Sequence, residues 1–139
     1  MEKEIVFRGQ TRRLGEKVNL KGDKLPGRWV YGGIFPGTGD FSIIYGGKTG
    51  PELEKFVVYS ETVGQYIGLT DKNEQRIFEG DILEDSLGVR FIVRWDKTNA
   101  RYLGFTLEKE SKIVYVGREP KAVIIGNAYD NPELMQKEQ

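Results

Sequence analysis

The stretch GQYIGLTDKNEQRIFEGDIL, residues 64–83, decides how the rest of the chain is read. Tyr66 and Gly68 alternate with Ile67 and Leu69, the period-2 pattern of an extended strand. Thr70 to Glu74 is wholly polar. Asp71 suits the first position of a turn, and Asn73 tolerates the left-handed backbone that closes one. Gln75 to Phe78 resumes the strand. The stretch therefore predicts a β-hairpin with a three- to five-residue loop, a bulge or sharp bend at Gly80, and a new strand opening at Asp81-Ile82-Leu83.

Outward from this hairpin the same grammar repeats. EIVFR (4–8), RWVYGGIF (28–35), DFSIIYGG (40–47) and KFVVY (55–59) precede it; VRFIVRW (89–95), RYLGFTLEK (101–109), KIVYVG (112–117) and AVIIGNAY (122–129) follow. Eight or nine short strands rich in β-branched and aromatic residues predict an all-β fold, either two small curved sheets or an SH3-like half-barrel. LPG (25–27), FPGTGD (35–40) and the paired glycines at 32–33 and 46–47 read as turns. Short helical turns are expected near 51–55, after Pro51, and near 131–137, with Asn131 as N-cap and Pro132 in the first helical position. The 139 residues fit one domain, with a variable N-terminal β part (1–59) and a core (60–135). Residues 8–26 lack an apolar period and read as a mobile loop.

Composition removes several chemistries. With no Cys and no His, the chain lacks thiol nucleophiles, zinc ribbons, Ser-His triads and the usual neutral-pH proton shuttle. Lys+Arg and Asp+Glu are both 21, which argues against binding nucleic acid through net charge. No apolar run reaches the length of a membrane-spanning helix, and MEKEIVFRG has no signal-peptide core, so a cytoplasmic location is expected. GGIFPGTGD has no Gly-Lys-Ser/Thr step and so is no phosphate loop.

Four constellations have a functional reading to set against a plainer one. Asp71, Asn73 and Gln75 alternate as calcium ligands do, but Arg76 and Ile82 stand where an EF-hand needs Gly and Glu. Glu79, Asp81, Glu84 and Asp85 form an acidic cluster that reads as solvated or turn-capping groups before it reads as a metal site. Arg90 and Arg94 share one strand face, and Arg12, Arg13, Lys17, Lys21 and Lys24 crowd a loop diluted by Glu16 and Asp23. Both sets are candidate nucleic-acid contacts, and both are explained more simply as solvated charge. Trp29, Tyr31, Phe35, Phe41 and Tyr45 are expected to build a core, with any excess pointing to self-association.

Taken together, residues 66–83, Trp95-Asp96 and IGNAYDNPEL (125–134) resemble the YopX family of phage and prophage proteins. The blocks FRGQTRR (7–13) and GRWVYGG (27–33) resemble N-terminal segments of some members. Two departures stand out: Glu74 occupies the loop position where the family carries Gly, and 11–26 is longer than the family's link. The resemblance implies a small half-barrel β protein with no catalytic or cofactor residues to transfer. It also implies architectural roles: backbone bends at Gly68, Gly80 and Gly126, core or interface for Tyr66, Trp95 and Tyr129, and local capping for Asp81 and Asn131. The expected function is a non-enzymatic accessory protein that binds itself or a host or phage macromolecule, without a cofactor. Nucleic-acid binding stands second and a carboxylate-dependent enzyme third.

Overall fold

The chain folds as eleven short antiparallel strands and two 3-10 turns in a computed structural model that describes residues 4–11, 28–37, 39–46, 54–118 and 121–135. Two compact units result, Glu4–Gln65 and the segment from Tyr66 onward.

The N-terminal unit holds β1 (Phe7–Gln10), β2 (Trp29–Phe35), β3 (Phe41–Gly46), β4 (Glu54–Tyr59) and the start of β5 (Gly64–Thr70), in the order β4-β3-β2-β1-β5. The sheet curls until Thr11, just past β1, forms an isolated bridge to Val58 on β4. That bridge stops short of a closed barrel. The curl leaves a narrow interior, filled by Val30, Ile44 and Val58 with Phe7, Ile34, Phe56 and Val63 against them. Gly9 sits where a Cβ would lie 2.8 Å from the Val58 Cγ2, so the tight approach of β1 to β4 requires its missing side chain. The 3-10 turn Ser60–Thr62 supplies a clasp: the Thr62 hydroxyl accepts from Gln10 N–H at 2.9 Å and donates to the Tyr59 carbonyl at 2.7 Å.

The C-terminal unit begins with the hairpin of β5 and β6 (Arg76–Phe78). Between the pairs Tyr66–Phe78 and Thr70–Arg76 the β5 strand carries two extra residues, and Gly68 takes a φ of 91° within this bulge. β7 (Asp81–Glu84), β8 (Arg90–Asp96), β9 (Arg101–Thr106) and β10 (Ile113–Val114) form an antiparallel meander. β11 (Val123–Asn127) then returns to pair with β7, giving the order β10-β9-β8-β7-β11. One face of this sheet packs Leu83, Phe91 and Val93 with Ile77 and Ala122. Burying a side chain of this size contributes roughly 1.5–3 kcal/mol.

The all-β expectation holds, and several details differ from it. The quoted stretch alone supplies three strands, which raises the total above eight or nine. Residues 8–10, expected within a loop, belong to β1 because Arg8, Gly9 and Gln10 pair with Tyr31, Val30 and Trp29; residues 12–26 lie outside the described residues. Of the helical turn expected near 51–55, Glu54 and Lys55 open β4, paired with Gly46 and Tyr45, and 51–53 lie outside the described residues. The C-terminal turn is a 3-10 turn over Pro132–Met135, with residues 136 and 137 outside the described residues.

The loop of the central hairpin places Glu74 itself, not Asn73, in the left-handed region, with φ 62°. A side chain there costs about 1 kcal/mol, which glycine avoids. Glu74→Gly is therefore expected to raise stability by up to about 1 kcal/mol, read as a shift in the urea midpoint at unchanged m-value. A destabilised variant would mean that the Glu74 side chain holds the loop.

Candidate functional site

The motif residues of the C-terminal unit are organised around backbone amides. Asp71 is 4% exposed, and its carboxylate accepts three of them. Oδ1 takes Asn73 N–H and Gln75 N–H, both at 2.9 Å, and Oδ2 takes Ile124 N–H at 3.0 Å. Lys72 N–H also donates to the Ala122 carbonyl. The hairpin loop is thus fastened to β11, 53 residues away in sequence. Asp81, fully buried, accepts Phe78 N–H at 2.8 Å and closes the turn at Gly80. Gly80 takes a φ of 94°, and a Cβ there would meet the Tyr129 ring at 3.0 Å. Its N–H donates to the Val93 carbonyl and its carbonyl accepts Ala128 N–H. Asn127 accepts Tyr129 N–H and Asp130 N–H, while Asn131 turns back to accept Asn127 N–H at 3.2 Å. Asn131 thus stands at the N-cap position, its carbonyl accepting Leu134 N–H, while its side-chain oxygen serves Asn127 rather than the turn that follows. A Cβ on Gly126 would lie 2.5 Å from its Oδ1.

The acidic residues of 79–85 do not converge. Glu84 pairs with Arg90 at 3.2 Å, Asp85 accepts Leu87 N–H and Val89 N–H, and Asp81 serves its turn. Among the described residues no group of three His, Cys, Asp or Glu is placed to hold a metal ion. Glu79 is half-buried beside Arg94. Its burial pushes the carboxyl above its ordinary value, and Arg94 opposes part of that rise. Tyr102 is raised as well, first by burial and then by the nearby Glu79 charge. A cleft of about 200 Å³ opens onto Ile77, Leu83, Phe91 and Ala122, with Tyr115 and Arg118 at its rim. The guanidiniums of Arg101 and Arg118 lie 5.0 and 4.7 Å from the Tyr115 ring.

The N-terminal sheet presents a different surface. One parity of each strand, with Val30, Ile34, Ile44, Phe56 and Val58, points into the curl, so the alternate parity points out. Phe35, Ile43 and Val57 stand directly opposite one another across β2, β3 and β4 and form one apolar row. Phe41 opposite Tyr59 flanks the row on one side, with ring centroids 5.5 Å apart; Tyr45 opposite Lys55 flanks it on the other. Phe35 is 62% exposed, Val57 55%, Tyr31 47% and Phe41 38%. Of the aromatics expected in a core, Tyr31, Phe35 and Phe41 are thus exposed, because they lie on the outward parity, while Phe7 and Phe56 pack inside instead. Trp95 is likewise exposed, edge-on to Tyr102 at 5.0 Å.

The family model described as YopX protein matches residues 38–136. The chain belongs to the YopX protein family. The match takes in β3, β4 and the whole C-terminal network, whereas the blocks at 7–13 and 27–33 precede it. No curated protein matches the chain. No helix among the described residues is long and apolar enough to cross a membrane, a statement that does not extend to strands.

Of the candidate nucleic-acid contacts, Arg12, Arg13, Lys17, Lys21 and Lys24 lie outside the described residues. Arg90 faces Glu84 and Arg94 neighbours Glu79, so both cations already have acidic neighbours. Tyr66 packs on Phe78 and under Arg76, and Pro132 opens the last turn. Sequence reading assigned Asp71 to its turn but missed its long-range bond to β11, and it passed over Asn127. A buried acid among main-chain donors leaves no periodic trace.

Two measurements address this network. Asp71→Asn keeps one acceptor oxygen and brings an amide nitrogen against a main-chain donor. It should cost roughly 2–4 kcal/mol in urea unfolding, and a loss below about 0.5 kcal/mol would contradict the three-bond role. Glu79 adds a pH dependence. Its folded carboxyl holds its proton more tightly than the unfolded one, so its contribution to stability is complete below about 4.5 and is lost as pH rises through the folded value. The stability of Glu79→Gln relative to wild type should therefore increase from acid toward neutral pH. The Tyr102 phenol should also ionise at lower pH in the variant, by ultraviolet titration.

Proposed function

We propose that the chain is a non-enzymatic binding module, an accessory protein of the phage and prophage kind that its family resembles, and that it works by protein–protein contact. One observation carries the reading: the outer face of the N-terminal sheet exposes a registered row of Phe35, Ile43 and Val57 flanked by further aromatics. The exposed parts of Tyr31, Phe35, Phe41 and Val57 together offer roughly 400 Å² of mostly apolar surface, given side-chain areas of about 150–250 Å². That matches the largest patch of a typical monomer, and such patches commonly serve as contact sites. The motif residues of the C-terminal unit support the same reading indirectly, since their polar atoms are engaged in holding turns.

The test is capture from lysate of the infected host, comparing wild type with Phe35→Lys/Val57→Lys. Both positions are exposed, so the variant should keep its circular dichroism spectrum while losing most of the bound protein. Equal retention by the two proteins would remove the outer face from the function. A second reading, single-stranded nucleic acid at Tyr115 with Arg101 and Arg118, draws on the exposed ring and its two guanidiniums. Gel retardation that weakens with salt and with Arg118→Ala would favour it; no shift at low salt would end it.

A further inference from the structure

Resting on that reading, we propose that the occupant of the outer face is a second copy of this chain, packed sheet on sheet about a two-fold axis along the Phe35–Ile43–Val57 row. The axis runs across the strands, so it reverses strand direction and sets each row on its own counterpart. Aligned packing of this kind brings two sheets to about 10 Å with their side chains interleaved. No like charges meet at the centre, because the row itself is uncharged. The chain as a whole is formally neutral, so two copies do not repel at long range.

The charges at the two ends of the face select this arrangement. At one end Lys55 stands opposite Tyr45, its Nζ 5.8 Å from the ring centre. At the other end a shallow depression is lined by Gly39, Asp40, Phe41, Tyr59, Ser60 and Glu61. Asp40 and Glu61 are both exposed. Reversal of strand direction carries Lys55 onto Tyr59 of the second copy, beside that depression, where its ammonium meets the two carboxylates. The symmetry makes the pairing twice. An axis parallel to the strands would instead gather both lysines at one end of the interface and both acidic pairs at the other. The apolar patch alone supplies about half of the roughly 800 Å² per partner of a standard interface, and the charged rim adds to it.

Light scattering and sedimentation across a concentration series test the proposal. Wild type should be dimeric at micromolar concentration. Lys55→Glu and Glu61→Lys should each raise the dimer dissociation constant by about tenfold or more, since each turns two attractive contacts into repulsive ones. Mixing the two variants should bring it back to within about threefold of wild type. In the mixed dimer the carboxylate introduced at position 55 of one copy meets the ammonium introduced at position 61 of the other, and the unaltered Lys55 meets the unaltered Glu61. A wild type that stays monomeric overturns the dimer; if Phe35→Lys/Val57→Lys still abolishes capture from lysate, the binding-module reading survives without it. A dimer indifferent to both charge reversals, or one that mixing fails to restore, overturns this packing. A dimer indifferent also to Phe35→Lys/Val57→Lys removes the outer face from both readings.

Discussion

The C-terminal unit depends on a buried carboxylate whose partners are main-chain amides. Asp71 closes its own hairpin loop with one oxygen and reaches Ile124 with the other. A carboxylate removed from water is costly, and charge-assisted bonds to several N–H groups are the least expensive way to keep it there. The same logic recurs at smaller scale. Asp81 takes the amide of Phe78, Asp85 those of Leu87 and Val89, and Asn127 those of Tyr129 and Asp130. The polar side chains that make the motif recognisable are largely used up in shaping loops between short strands.

Strand content was legible because its signals are local. Alternation, β-branched residues and glycine-marked turns each act over a few residues, and they placed most strands within a residue or two. Which parity faces inward is not local. In RWVYGGIF and DFSIIYGG the larger apolar residues occupy one parity and the smaller ones the other. Hydrophobicity alone favours burying the aromatics. The curl that brings Thr11 to Val58 encloses the other parity, where Val30, Ile34 and Ile44 meet Phe7 and Phe56. Nothing within either strand encodes that curl. Asn131 is a similar case: its sequence position suits a cap, and its carbonyl takes Leu134 N–H, but its side-chain oxygen is used on Asn127 N–H instead of the turn. The outer face was foreshadowed only as an excess of aromatics; the placing of Lys55 at one end and of Asp40 and Glu61 at the other follows from strand register, which no local spacing encodes.

The chain combines membership of the YopX protein family with an all-β architecture of two antiparallel sheets. A chain without imidazole or thiol has few groups that change charge near neutrality. Among the described residues the perturbed groups, Glu79 and Tyr102, both lie in the C-terminal unit.

The outer face combines two kinds of attraction with opposite responses to dissolved salt. Lys55 and the Asp40–Glu61 end are exposed, so a modest ionic strength screens them within about 8–10 Å. The Phe35–Ile43–Val57 row is apolar, and strongly hydrated anions such as sulfate strengthen its withdrawal from water. Whatever settles on this face is held least firmly at intermediate ionic strength, with the alignment imposed by charge fading before the adhesion does.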